Sequence, residues 1–119
     1  MSLSFDEYQN NTGKTAVYPG QSEPLGLLYA ALGAGNEAGE VLGKVKKAIR
    51  DEGYGTSRTD DLTPDRKEQI LDEVGDVLWY LARVCEEAGS TLSYCAEKNL
   101  AKLEDRMQRG VIAGSGDKR

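Results

Sequence analysis

The sequence predicts an all-α protein, a bundle of three long helices and one short N-terminal helix. Apolar residues recur at intervals of three and four in three separate stretches, which is the period of an amphipathic helix. Capping residues or a proline precede these stretches, and glycines follow them. No segment alternates apolar and polar residues in the manner of a half-buried strand. We therefore expect helices joined by loops.

Length and composition favour one globular domain over residues 1–119. Of the 119 residues, 39% are hydrophobic and 29% are charged, which fits a soluble protein with a single core. No apolar run is long enough to span a membrane, and the start of the chain lacks the basic and apolar regions of a signal peptide. We expect a cytoplasmic protein without a membrane partner.

The N-terminal region begins with a short predicted helix over residues 4–9. Ser4 is placed to cap this helix, and Phe5 with Tyr8 or Gln9 should turn inward. Asparagine, glycine and proline residues then interrupt any periodicity up to residue 23, so irregular chain should follow.

The first long helix should begin at Pro24, a residue suited to the first helical position, and continue to about residue 51. Four glycines inside it each cost ~1 kcal/mol of helix propensity relative to alanine, so packing must hold the helix. They are Gly33, Gly35, Gly39 and Gly43. Small residues admit close approach of a neighbouring helix or of a bulky ligand such as a nucleobase, and the sequence leaves both open.

The second long helix should begin after Thr63, a capping residue followed by proline and then an acid. Its apolar pattern continues to about residue 88, and Gly89 should end it.

The last helix is expected to start after Ser90 or Thr91 and to end near residue 110. The stretch 110–119 is rich in glycine, and we expect it to form a flexible C-terminal tail.

Two pairs of carboxylates lie inside the first two long helices. The residues of each pair are three apart and project from one side of a helix; the pairs are Glu37 with Glu40, and Glu73 with Asp76. Both pairs border the apolar arc, where charge is costly without a partner or a metal. Four carboxylates brought together by packing would offer oxygen ligands only, which suit Mg²⁺ first and Mn²⁺ second.

Surface ion pairing is the alternative explanation of these acids, for example between Glu40 and Lys44. It is the better explanation for either pair alone. For two pairs on matching borders of two helices, a shared metal site is the preferred hypothesis. Tyr80 lies on the same border as the second pair.

Polar and basic residues on the last helix form a second candidate cluster. They share an arc of roughly 100° that overlaps the apolar side. The cluster consists of Lys98, Asn99, Lys102 and Arg106. Together with Lys44 it would flank the acids with phosphate-binding groups. The alternative is that Lys98 and Lys102 pair with neighbouring acids on the helix surface.

Composition narrows the chemistry further. The absence of histidine excludes a histidine triad, a histidine general base and most zinc sites. The formal net charge of −5 argues against nucleic acid as a partner.

Cys85 and Cys95 occupy core-like positions, and we expect free thiols. Trp79 points away from the main apolar arc of its helix, which leaves a structural contact, an interface or stacking on a base open.

Wide apolar arcs on a short chain predict self-association. Three long helices bury little by themselves, and pairing with another copy would complete four-helix-bundle-like cores. The sequence therefore predicts a homo-oligomer, a dimer or a tetramer, whose contacts include the two acid-bearing helices.

Four stretches of the sequence follow one another in a characteristic order. They read Glu37-Ala38-Gly39-Glu40-Val41, then Asp72-Glu73-Val74-Gly75-Asp76-Val77-Leu78-Trp79-Tyr80-Leu81, then Lys98-Asn99-Leu100-Ala101-Lys102-Leu103 with Arg106, and finally Gly114-Ser115-Gly116-Asp117. In this order they resemble the MazG-like all-α nucleoside triphosphate pyrophosphohydrolases, and among these the compact single-domain branch. The resemblance covers nearly the whole chain.

The resemblance implies an enzyme that splits a nucleoside triphosphate between its α- and β-phosphates and so cleans up or regulates nucleotide pools. The products would be the monophosphate and pyrophosphate. The implied magnesium ligands are Glu37, Glu40, Glu73 and Asp76, one of which would accept a proton from the attacking water. The implied substrate contacts are Asn99, Lys102 and Arg106, with Lys44 and Tyr80 nearby. Asn36 stands where some members have a further glutamate, which leaves the number of metal ions and the general base open.

Two other functions compete with this hypothesis. Phosphoribosyl-ATP pyrophosphohydrolases share the fold class, but the ending of this chain resembles the other branch. A non-catalytic, nucleotide-binding regulatory module is the second, and the presence of all four acids disfavours it. Magnesium-dependent release of pyrophosphate would separate the enzymes from the module.

Overall fold

The computed structural model describes residues 2–119 and confirms the all-α prediction. Its four α-helices are α1 (Phe5–Thr12), α2 (Pro24–Lys47), α3 (Pro64–Glu87) and α4 (Leu92–Gln108). A π-helical segment, Ala48–Glu52, continues α2, and isolated β-bridges within residues 54–59 shape the loop before α3. The part of the chain that the structure describes contains no strand.

The starts of three helices follow local capping chemistry. The Ser4 hydroxyl accepts a hydrogen bond from the amide of Glu7, whose side chain in turn accepts from the Ser4 amide. The hydroxyls of Thr63 and Thr91 cap α3 and α4 by accepting from the third amide beyond them. These caps are confirmed where the sequence predicts them because they depend only on neighbouring residues.

α1 continues to Thr12, beyond the predicted end near residue 9. Side chains complete its last turn: the amide of Asn11 donates to the Glu7 carbonyl, and the hydroxyl of Thr12 donates to the Gln9 carbonyl. The inward orientation expected for Phe5 is wrong, since Phe5 is 45% exposed. Gln9 is buried instead, because its amide links α1 to the start of α4.

α2 and α3 form an antiparallel pair that carries the candidate site. Lys44 meets Glu73, Gly33 meets Tyr80, and further back along α2 a glycine meets Glu87 near the end of α3. Residue numbers along α3 therefore increase as those of the contacting residues along α2 decrease. The pairing brings the middle of each helix, with its acids, opposite the middle of the other.

The core of one chain is small. One cluster of buried side chains consists of Ala82, Cys85 and Leu92, with Tyr8 and Leu78 packed against it. Among the described residues, no large side chain is fully buried. Several large apolar side chains are instead well exposed, including Leu28, Leu32, Leu42, Leu100 and Met107. Within residues 2–119, no helix combines the length and the apolar character that a membrane crossing requires.

Contacts fasten the C-terminal stretch for which the sequence predicts flexibility. The Arg106 guanidinium donates to the Asp117 carbonyl over 2.6 Å, and Lys102 lies 3.4 Å from the Asp117 carboxylate. The Arg119 guanidinium donates back to the carbonyl of Val111. Residues 111–119 thus fold back toward α4.

Candidate functional site

Three carboxylates from α2 and α3 form a tight group. One oxygen from each of Glu37, Glu73 and Asp76 lies within 4.8 Å of the others. Glu37 and Glu73 are half-buried, whereas Asp76 is exposed. The antiparallel pairing of α2 and α3 thus brings together three of the four acids that the sequence singles out.

Glu40 lies outside this group of three, on the exposed part of α2. It stands one helical turn beyond Glu37 and still contributes to the electrostatic repulsion that Glu37 experiences. The sequence could not separate Glu40 from the others, because spacing along a helix fixes the side of projection but not the final distance.

The charge at the site is unbalanced. Burial raises the pKa of Glu37, and the negative charges of Asp76, Glu73 and Glu40 raise it further. Lys44 supplies a cation beside the group, since its ammonium nitrogen lies 4.0 Å from a Glu73 oxygen. One ammonium group cannot balance four carboxylates. The donor set is all oxygen and suits a hard divalent cation such as Mg²⁺.

An aromatic pocket adjoins the acids. It has a volume of about 280 Å³, and its lining residues are Thr15, Val17, Tyr18, Pro19, Tyr29, Trp79 and Tyr80. The rings of Tyr18 and Tyr29 stack with centroids 5.6 Å apart. Trp79 meets both Tyr18 and Tyr80 edge to face. Flat aromatic walls of this kind suit a planar heterocycle.

Tyr80 connects the aromatic pocket to the acids. Its pKa is raised by burial first, then by the negative charge that Tyr29, Glu37 and Asp76 can carry. Gly33 makes this position possible, because a Cβ at Gly33 would overlap the Tyr80 ring. The close approach at Gly33 is therefore to a neighbouring helix. Among the described residues, no atom other than those of the neighbouring backbone of α2 lies within 4 Å of a Cβ built at Gly35, Gly39 or Gly43.

Trp79 has a structural contact. Its indole N–H donates to the Thr15 hydroxyl over 2.9 Å, which ties the loop between α1 and α2 to α3. The same ring forms a wall of the aromatic pocket. The structural interpretation of Trp79 therefore has direct support, and base stacking stays a proposal.

A buried arginine that the sequence did not single out holds the loop between α1 and α2. Arg83 is 6% exposed; its guanidinium donates to the hydroxyls of Tyr18 and Thr12, each over 3.2 Å. The Tyr18 hydroxyl in turn donates to Glu87 over 2.7 Å. Because Tyr18 is a wall of the aromatic pocket, Arg83 supports that wall. One hint was available: Arg83 continues the stripe of Glu73, Asp76 and Tyr80 along α3.

Three residues of the predicted polar and basic cluster on α4 line a separate pocket of about 300 Å³. Its lining residues are Cys95, Lys98, Asn99 and Lys102, and none of the four acids takes part. Arg106 is 4% exposed and engages the carbonyl and carboxylate of Asp117. Hydrogen bonds from Arg106 and Lys102 hold the pKa of Asp117 below its usual value. Within one chain, the basic side chains of α4 therefore contact the chain's own C-terminal stretch or line an open pocket.

An apolar groove runs between α2 and α3. It has a volume of about 290 Å³, and its lining residues are Ala38, Val41, Val74, Val77, Leu78 and Leu81. Leu42, which is 70% exposed, and Leu71, which is 49% exposed, extend the apolar surface of the same two helices. The two acid-bearing helices thus leave one apolar side uncovered.

Comparison with known proteins identifies a family whose model covers the acids and the basic residues of α4. The family model described as "MazG nucleotide pyrophosphohydrolase domain" matches residues 30–111, which include all four acids and the α4 cluster. "Gene 37 protein" of Mycobacterium phage L5 is 39% identical over 120 residues, covering 98% of this chain and 100% of that protein. No solved structure matches the chain.

Proposed function

This chain belongs to the MazG nucleotide pyrophosphohydrolase family, and we propose that it hydrolyses a nucleoside triphosphate to the monophosphate and pyrophosphate with a divalent cation. The observation that carries the proposal is the group formed by Glu37, Glu73 and Asp76 beside an aromatic pocket. The acids suit the phosphate end of such a substrate once a cation is present, and the pocket suits its base.

Glu37, Glu73 and Asp76 are the residues that would hold the cation, Mg²⁺ or alternatively Mn²⁺. When bound, the cation neutralises phosphate charge and makes a bound water more acidic. Burial and the repulsion from neighbouring carboxylates raise the pKa of Glu37, and both are expected of a site that gains from a positive charge. The oxygen-only donor set supports Mg²⁺ over a softer metal.

Glu40 is the carboxylate that we assign to accept a proton from the attacking water. It lies outside the group of three, so it remains available while the others hold the cation. It is also exposed, and so able to pass the proton to solvent. Replacing it with glutamine should abolish turnover without loss of the magnesium-induced rise in Tm. A variant that loses that rise as well would assign Glu40 to cation binding instead.

The aromatic pocket is the proposed place for the nucleobase. Tyr80 borders both the pocket and the acids, so a nucleotide with its base against Tyr80 would direct its phosphates toward Glu37 and Asp76. Lys44, 4.0 Å from Glu73, is the basic residue nearest the phosphates in this arrangement. A planar base would replace water against the rings of Tyr18, Tyr29 and Trp79.

A homo-oligomer is the second part of the proposal. The uncovered groove between α2 and α3, together with exposed leucines on both helices, supports a second copy as its cover. The pocket on α4 includes none of the acids, which supports a second chain, or a movement of α4, as the way in which Asn99 or Lys102 would contact the phosphates. Arg106 would join them only after Asp117 has left it.

A panel of ribo- and deoxyribonucleoside triphosphates with Mg²⁺ tests the proposed activity. We expect monophosphate and pyrophosphate in equal amounts from at least one triphosphate, and no turnover in EDTA. Asp72→Asn serves as a control, because Asp72 is exposed on α3 and lies outside the group of three acids. Magnesium-dependent binding of a nucleotide without turnover would instead support a regulatory module.

A further inference from the structure

Two cysteine sulfurs meet where α3 joins α4. The Sγ atoms of Cys85 and Cys95 lie 3.6 Å apart, and one thiol donates a hydrogen bond to the other. Cys85 is buried in the core beside Ala82 and Leu92, whereas Cys95 is exposed. Both are free thiols, as the sequence predicts, but the core-like position expected for Cys95 is wrong. The pair therefore combines a protected sulfur with one that a reagent in solution can reach.

The pair stands at the attachment of α4. The Leu92 amide donates to Gln9 over 2.8 Å, and the Ser93 hydroxyl donates to Asp6 over 2.8 Å. Both bonds hold the first turn of α4. Further along, Leu100 and Met107 are 67% and 65% exposed. α4 is thus held to the other helices mainly near its N-terminal end, and Cys95 lies at that end.

Two lysines line the same pocket as the exposed thiol. Cys95 shares its pocket of about 300 Å³ with Lys98, Asn99 and Lys102. The Lys98 ammonium is also 6.0 Å from the ring centre of Tyr94. An electropositive, accessible surrounding is typical of cysteines that react with disulfides and peroxides. Anionic oxidants such as glutathione disulfide, which carries carboxylates, would gain from these two cations.

We propose that Cys85 and Cys95 form a reversible redox site, which closes to a disulfide with glutathione-type disulfides as the oxidant and fixes α4 to α3. The sulfurs must approach from 3.6 Å to about 2.05 Å. The ten-residue separation spans only the end of α3, the turn and the first residues of α4. Closing the bond therefore joins elements that are already neighbours.

The reaction balances in two exchange steps. The Cys95 thiolate attacks one sulfur of glutathione disulfide, forming a mixed disulfide and releasing one glutathione thiolate. The Cys85 thiolate then attacks the Cys95 sulfur, forming the Cys85–Cys95 bond and releasing the second glutathione. The two thiol protons pass to the two released thiolates. The protein loses two electrons, and glutathione disulfide gains them.

The environments of the two sulfurs set this order. Burial, the hydrogen bond with Cys95 and the charge of that neighbour raise the pKa of the Cys85 thiol to about 11. Cys85 is therefore rarely a thiolate near neutral pH and is shielded from large reagents. Cys95, exposed and beside two lysines, reacts first, and Cys85 acts as the resolving thiol.

Mass spectrometry of the unfolded, non-reduced protein after incubation with glutathione disulfide tests the proposal. We expect a single chain that has lost two hydrogen atoms, has no titratable thiol and returns to the starting mass with dithiothreitol. Thermal unfolding of the oxidised protein should show a Tm higher by roughly 5–10 °C, because the new bond restricts the unfolded chain.

Two single variants make the result decisive. Cys85→Ala should stop at one glutathionyl group on Cys95, with no rise in Tm. Cys95→Ser should keep its remaining thiol free, because Cys85 is buried. A wild-type protein that stops at the mixed disulfide, that links two chains instead of closing within one, or whose Tm falls on oxidation would overturn the proposal.

Discussion

Glu37 experiences the negative charge of all three other acids at the site. Its carboxylate shares the group with Glu73 and Asp76 and also experiences the charge of Glu40. The sequence places these four acids on the borders of two helices, because a separation of three residues fixes the side of projection. Only packing decides that three of them meet while Glu40 stands apart.

Asp76→Asn is predicted to lower kcat/KM at least about 100-fold at saturating Mg²⁺, because an amide oxygen replaces a charged ligand in the group of three. The helical content by circular dichroism should stay unchanged, since Asp76 is exposed. Asp72→Asn, on the same helix but outside the group, should keep its activity within about 2-fold. Full activity of Asp76→Asn would refute the proposed cation site.

Glu37→Gln is predicted to raise stability when no divalent cation is present. The pKa of Glu37 is higher in the folded protein than its ordinary value of 4.5. Between those two pKa values the folded state binds more protons, so the free energy of unfolding falls as pH rises through this interval. In EDTA at neutral pH, the variant should have a Tm about 1–4 °C above that of the wild type.

The pH dependence supplies the control for Glu37→Gln. Below pH 4 the wild-type carboxyl is protonated, so the Tm values of variant and wild type should converge. Mg²⁺ should raise the Tm of the wild type and have a much smaller effect on that of the variant. A variant less stable than the wild type in EDTA at neutral pH would contradict the repulsion at this site.

At the scale of elements, local chemistry is what the sequence predicts well. Ser4, Thr63 and Thr91 cap helices as expected, because a cap depends on residues a few positions away. The aromatic pocket was not predicted, since Tyr18 lies in an irregular loop. The position of that loop is set by distant contacts with residues of α3 such as Arg83.

The C-terminal stretch illustrates the same limit. Glycine-rich composition suggests flexibility, but Asp117 reaches Arg106 and Lys102 on α4. Nothing in the local pattern identifies this partner. The cations predicted to bind phosphate are thereby partly engaged by a carboxylate of the same chain.

Gly33→Ala and Gly39→Ala are predicted to change stability in opposite directions. A Cβ at Gly33 would overlap Tyr80, so this variant should lose about 1–3 kcal/mol of unfolding free energy. At Gly39, no described atom beyond the neighbouring backbone of α2 lies within 4 Å of the Cβ position, and alanine there should add about 0.5–1 kcal/mol. Denaturant unfolding measures both changes, and equal effects would contradict the packing of α2 on Tyr80.

At the scale of the whole molecule, one chain leaves much apolar surface exposed to solvent. The small core and the open groove between α2 and α3 have the same cause: a short chain whose long helices cannot cover one another. Light scattering should show a dimer or tetramer at micromolar concentration. A monomer would contradict the proposed oligomer.

Mixing two inactive variants tests whether α4 acts on the acids of a neighbouring chain. Asp76→Asn and Lys102→Ala should each be impaired alone. If one chain supplies the acids and its partner the lysine, subunit exchange in a dimer restores one intact site per mixed pair, or about a quarter of the wild-type activity. No recovery would place both groups in one chain.

The position of bond cleavage tests the central claim most directly. The purified protein is incubated in water enriched in oxygen-18 with Mg²⁺ and the triphosphate that it turns over best, and the phosphorus products are identified. We predict label in the monophosphate or in pyrophosphate, with no orthophosphate as a primary product. Labelled orthophosphate as the first product would mean attack at the γ-phosphate and would contradict pyrophosphohydrolase activity.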